Sequence, residues 1–162
     1  MLRSKGGATP MTKRLLAMLC VLATISACTS WLPEKVIKVD PAAINEVRSI
    51  GRVVARTTAD PQYKRTTQVI EILVFDLNAP NFTEALSVAR GRLEQHGWSV
   101  IGSADVPIEM ESSRWKGTTV RLGQLGDIDP LGAALEPAAE KALQADPAKS
   151  GYILASLSSV GE

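Results

Sequence analysis

Thiols, imidazoles and aromatic rings are scarce in this chain. Its 162 residues include two cysteines, one histidine and 4% aromatics. Both cysteines, Cys20 and Cys28, lie near the N-terminus, so the chain beyond Cys28 has no thiols for a disulfide or a Cys-rich metal site. Charge of one sign is also lacking. Eighteen basic residues face 17 acidic ones, so no overall basic footprint marks a nucleic-acid binder. Long apolar runs are absent too. The apolar stretch Leu15 to Ile25 is about eleven residues, against the roughly 20 that span a bilayer as a helix. No Gly-x-Ser-x-Gly setting surrounds a serine, and no phosphate-binding loop is present.

What is present begins with the leader. Lys13 and Arg14 form a positive n-region, Leu15 to Ile25 an apolar h-region, and Ser26-Ala27 the small residues that a peptidase needs before its cut. Met11, two residues before Lys13, makes a better start than Met1. The run Ile25-Ser26-Ala27-Cys28 resembles the lipobox of bacterial prolipoproteins: Leu, Val or Ile at −3, a small residue at −2, Ala or Gly at −1, then Cys. The resemblance covers residues 11–28. It implies cleavage between Ala27 and Cys28, a diacylglyceryl group on the Cys28 thiol, and a mature protein anchored on the extracytoplasmic side of a bacterial membrane. The plain alternative is an ordinary secretory signal that contains a cysteine. Cys20 does not compete, because Leu19 is too large for that cleavage position.

All 17 acidic residues follow Cys28 and four of the basic ones precede it, so the mature chain carries a formal charge of −3. The charge is unevenly placed. Residues 29–65 hold seven basic and four acidic side chains; residues 66–162 hold seven basic and thirteen acidic. A basic stretch next to the anchor and an acidic distal domain suit a protein standing on anionic lipid.

The pattern along the chain predicts three parts: a signal peptide over 1–27, a lipid-anchored tether over 28–65, and a folded domain over 66–160. Within the tether, Asp40-Pro41 is a helix start. Ile44, Val47, Ile50 and Val54 at helical spacing predict a helix over 41–56, interrupted only by Gly51. Thr66 to Leu77 is β-branched and apolar at nearly every position, the pattern of a strand covered on both faces. Asn81 and Glu84 open a second helix with a capping-box pattern; Phe82, Ala85, Leu86, Ala89 and Leu93 make its apolar stripe, and Gly97 ends it. Trp98 to Gly102 reads as a strand that resumes at Ile108 to Glu111, and Thr118 to Leu125 as the returning strand. Asp129-Pro130 starts another helical stretch, which Pro137 must kink or split. Tyr152 to Val160 is the last strand.

From 66 to 160 this order is β-α-β-β-α-β. It predicts an α+β, ferredoxin-like domain: a four-stranded antiparallel sheet with two helices on one face. Its usual chemistries find no support. Leu77 to Asn81 lacks the Cys-x-x-Cys of heavy-metal-binding ferredoxin-like domains and the Gly-rich anion cradle and arginine of acylphosphatases. Phe75 stands alone where RNA-recognition domains carry several aromatics. Small amino-acid-sensing domains of this architecture stay open.

The individual candidates have plain explanations. His96, before Gly97, suits the cation-favouring C-terminus of a helix better than a general base. Asp127 and Asp129 lack the further oxygen ligands of a calcium loop, and Asp129 suits an N-cap. Glu109 and Glu111 share a strand face and read as solvated edge charges that discourage strand pairing. The sequence therefore predicts no catalytic residues, metal or cofactor. It predicts a lipid-anchored cell-envelope protein acting as a non-catalytic interaction or structural module, bound to the membrane and to another envelope protein. The alternative is a small-ligand binding or sensing domain. A concave, mostly apolar pocket with a few convergent polar groups favours that alternative; an exposed apolar patch or bare strand edge favours the first reading.

Overall fold

The computed structural model describes residues 35–103 and 105–160. The leader, its cleavage site and Cys28 lie outside the described residues. The chain enters through a short strand, β1 (Lys35–Ile37), followed by helix α1 (Pro41–Arg48). The Asp40 carboxylate accepts from the Ala42 amide at 2.7 Å, with Pro41 in the first turn. The helix ends at Arg48 rather than at 56. Gly51 lies so close to β-structure ahead that a Cβ there would strike the Leu77 side chain. The β-branched run that follows forms strand β2 (Arg52–Ala59) instead of continuing the helix to 56.

β2 leads through β3 (Gln62–Tyr63) and β4 (Thr66–Gln68) into β5 (Ile70–Asp76). β1 and β3 flank β4 in a small three-stranded sheet. Helix α2 (Phe82–Gln95) follows, with the Asn81 carboxamide accepting from the Glu84 amide at 3.0 Å and His96 at its C-cap. Gly97, at φ +85°, supplies the left-handed turn that a side chain resists. Strands β6 (Trp98–Ile101), β7 (Ile108–Ser112) and β8 (Thr118–Gly123) come next. A 3₁₀ turn over Leu125–Leu131, helix α3 (Pro137–Ala145) and a 3₁₀ turn over Pro147–Gly151 then lead to β9 (Tyr152–Ser159).

The main sheet has six strands in the order β2-β5-β9-β8-β7-β6, every neighbouring pair antiparallel. This overturns the four-stranded ferredoxin-like arrangement, for three physical reasons. Residues 52–59 are an additional strand, paired along β5 from Arg52 opposite Asp76 to Ala59 opposite Ile70. Trp98–Ile101 and Ile108–Ser112 are two strands facing each other, not one strand interrupted; Trp98 lies opposite Ser112 and Ile101 opposite Glu109. Pro137 divides the stretch after Asp129 into a 3₁₀ turn and α3, and these lie across the opposite side of the sheet from α1 and α2.

The cores show the two-sided packing. On one face Leu73, Phe75, Met110, Val120, Leu122, Ile153, Ala155 and Leu157 meet Ala43 and Val47 of α1 and Ala85, Leu86, Ala89 and Leu93 of α2. On the other face Ala55, Val74 and Tyr152 pack with Leu143 of α3, and Ala59, Ile72 and Leu154 with Ala133. β5 and β9 are therefore apolar on both sides, as strands covered twice must be.

Residues 35–65 are part of this body rather than a tether. Val39, Ala43, Val47 and Ile50 are buried in the main core. Two contacts pin α1 further. The Glu46 carboxylate accepts from the Trp98 indole at 2.9 Å and from Arg114 at 2.9 Å, and the Arg114 guanidinium stacks over Trp115 at 4.9 Å. Among the described residues no helix is long and apolar enough to cross a membrane.

Candidate functional site

The segment from Leu125 to Gly151 covers only part of its sheet face, and it encloses a cleft. Each of its turns has a local cause. The Asp127 carboxylate accepts from the Gln124 amide at 2.9 Å and lies against Gly123, where a Cβ would strike it. Gly132, at φ +68°, ends the first 3₁₀ turn. Pro137 opens α3, where it has no amide to lose. Asp146 then caps the second 3₁₀ turn, its carboxylate accepting from the Ala148 amide at 2.9 Å. Gly151 passes so close to the Ala79 carbonyl that no side chain would fit.

The cleft between the first 3₁₀ turn and α3 has a volume of about 450 Å³. Leu125, Ile128, Ala134, Leu135 and Leu143 make its apolar walls; Asp129, Glu140, Gln144 and Lys149 converge at its rim. Lys149 donates to the Gln144 carbonyl at 2.9 Å, and the Gln144 amide donates to Glu140 at 3.0 Å. The volume falls within the few hundred to about 1,000 Å³ typical of small-molecule sites.

Beneath the cleft lies a chain of ionisable groups. Leu125, Leu135 and Leu143 pack in one cluster with Val74, Ala55 and Tyr152. The Tyr152 hydroxyl donates to Asp146 at 2.5 Å. That bond, with burial second, pushes the phenol up to about 12. The same bond, helped by the Ala148 amide, holds the Asp146 carboxyl below the usual range. Next to it, Arg52 on β2 pairs with Asp76 on β5. The guanidinium first, and the Asn78 amide at 2.8 Å second, hold the Asp76 carboxyl low. No member of this chain is poised as a base or nucleophile near neutral pH. Each is committed to its neighbour, and together they fasten the end of α3 to β2, β5 and β9.

The residues singled out in the sequence are not brought together. His96 is exposed at the end of α2. Asp129 is inside the 3₁₀ turn rather than at an N-cap, and it faces the cleft; Asp127 faces a separate small hollow beside Arg121 and Ser156. Glu109 and Glu111 sit on β7, an inner strand with β6 outside it, so they are charges on an open sheet face and not on an edge. Register places Glu109 opposite Arg121. Among the described residues, no group of three or more His, Cys, Asp or Glu side chains is arranged to hold a metal ion.

No protein-family model, curated protein or solved structure matches this chain.

Sequence reasoning missed the site's main components. Asp146-Pro147 reads from the sequence as a helix stop, and nothing local shows that Tyr152 turns back to its carboxylate. The cleft is not visible in the sequence because its walls come from separate pieces: Leu125 reads as the end of a strand, Ile128 precedes the helix start at Asp129, and Ala134, Leu135 and Leu143 sit on the stretch that Pro137 must kink or split. The available signal was Pro137 itself, which left Leu125–Leu131 free to form a separate wall.

Proposed function

We propose that the mature protein is a lipid-anchored cell-envelope protein whose domain is a non-catalytic binding module, taking a small, largely apolar ligand in the cleft between the 3₁₀ turn and α3. The anchor rests on Ile25-Ser26-Ala27-Cys28 and the positive n-region before it. The binding role rests on the cleft: about 450 Å³, apolar on its walls, with four polar side chains at its rim. Binding is preferred to catalysis because the titratable groups nearest the cleft floor are spent on one another.

The open polar face of β6, β7 and β8 favours a second reading, a protein partner in the envelope. Ser99, Glu109, Glu111, Thr119 and Arg121 share that face by register. Such a partner would present basic groups, and the association would weaken with salt.

The test is titration of residues 29–162 with N-phenyl-1-naphthylamine, a neutral apolar fluorophore. Saturable one-to-one binding is expected, lost when Ala134→Trp fills the cleft and retained when Glu109→Gln alters the open face. A thermal unfolding curve shows whether the Trp variant is folded. Absence of saturable binding, or binding indifferent to Ala134→Trp in a folded variant, removes the ligand reading and leaves the protein-partner reading.

A further inference from the structure

The small β1-β4-β3 sheet combines features that no other part of the described chain shares. Tyr63 is 74% exposed and Val36 49%, the first on one face of this sheet and the second on the other. Lys64, at the tip of the β3–β4 turn, holds its ammonium 5.3 Å from the centre of the Tyr63 ring. Lys35 and Arg65 flank that turn, with the Lys35 amide donating to the Arg65 carbonyl at 3.2 Å. The three strands and their turn contain three basic residues and no acidic one; Glu34, Asp40 and Asp60 are the nearest acids in the sequence. An exposed aromatic ring beside lysine and arginine is the composition of a membrane–water interface.

The position of this sheet in the chain gives it a partner. Lys35 is seven residues after Cys28. Seven residues reach at most about 25 Å when fully extended, less than the roughly 35 Å diameter expected of a domain of about 130 residues. A domain so tethered must keep this end next to whatever holds Cys28. Three of the seven basic residues of 29–65, Lys35, Lys64 and Arg65, lie in this sheet and its turn, and the acidic excess of the mature chain falls in residues 66–162.

We propose that the β1-β4-β3 sheet is the domain's membrane-facing foot, with Tyr63 seated at the headgroup level and Lys64 against anionic headgroups. The cleft domain is thereby held in one orientation instead of swinging on its anchor. This inference rests on the lipid-anchor reading for its geometry. Its test does not need the native acyl group.

Residues 29–162 contain no cysteine, so one labelling site can be introduced at will. A dye is placed on Gln62→Cys in the foot, or on Glu109→Cys on β7 as the control. Each protein is held by an N-terminal histidine tag on vesicles of phosphatidylcholine and phosphatidylglycerol with a nickel-chelating lipid. Quenching by a spin-labelled lipid then reports contact. The dye at 62 should be quenched well above the dye at 109. Lys64→Gln should shift the ratio of docked to undocked domain about fivefold toward undocked, the effect of removing one basic side chain from an anionic surface. Tyr63→Ser should lower it further, and both variants should unfold like the parent. Equal quenching at 62 and 109, or quenching at 62 unmoved by Lys64→Gln and Tyr63→Ser, would overturn the proposal. Intact mass of the native protein tests the lipid anchor separately, so the two can fail independently.

Discussion

Tyr152→Phe removes one hydroxyl and leaves the ring. That ring is 3% exposed and packed among Ala55, Val74 and Leu143, so its apolar burial survives. What disappears is the 2.5 Å hydrogen bond to Asp146. A hydrogen bond to a charged group contributes about 1.5–3 kcal/mol. Asp146 is only half-buried and keeps the Ala148 amide, which puts the expected loss between that range and the smaller value of a neutral hydrogen bond, at about 1–2 kcal/mol. The pH dependence separates this bond from packing. It raises the phenol from 10.0 to about 12. A raised folded pKa contributes stability that is fully present below the unfolded pKa and is lost as pH climbs through the folded one. The advantage of the parent over Tyr152→Phe should therefore be constant from neutral pH to about 10 and fade between about 10 and 12. On the acid side the same bond holds Asp146 below its usual range. There the advantage is present above the unfolded carboxylate pKa of about 4 and is lost as pH falls through the lower folded value. Both limbs describe one bond, so they do not add. The assay is urea unfolding of residues 29–162, parent and variant, near pH 7 and again at about pH 11.5. A difference under about 0.5 kcal/mol near neutrality, the size of an ordinary surface substitution, would refute the reasoning. So would a difference undiminished at the alkaline point.

Leu73, fully buried between β2 and β9 beneath the helices, should cost about 2–5 kcal/mol as Leu73→Ala, read from the urea midpoint. A chain begun at Thr58 should fail to fold cooperatively by circular dichroism, because it loses most of β2 and the buried Ala43, Val47 and Ile50. Gly51→Ala should cost about 1–3 kcal/mol by overpacking, since its Cβ meets Leu77 and lies 3.4 Å from the Asp76 carbonyl.

The fold was legible where local chemistry settles it. Asp40-Pro41, Asn81 with Glu84, and His96-Gly97 mark real helix ends, and Trp98, Thr118 and Tyr152 open real strands. It was not legible where tertiary contact decides. Ile44, Val47, Ile50 and Val54 keep helical spacing across Gly51, yet the chain leaves the helix because β5 offers residues 52–59 a strand partner. The arrangement of layers carried a usable contradiction. Ile70 to Asp76 is apolar on both strand parities, which calls for cover on both faces, whereas a ferredoxin-like domain puts its helices on one. The apolar Tyr152-Ile153-Leu154-Ala155 run says the same. Weighing that against the element order would have placed α3 on the second face and exposed the cleft. The site itself depends on contacts such as Tyr152 to Asp146 and Arg52 to Asp76, which no local pattern announces.

The central claim, a lipid-anchored protein, is tested most directly by intact mass of the protein extracted from the bacterial envelope in detergent. The expected chain begins at Cys28 and carries a diacylglyceryl group on its sulfur, with Cys28→Ala left as the unprocessed precursor. A mature N-terminus at any other residue, or an unmodified Cys28, would contradict it.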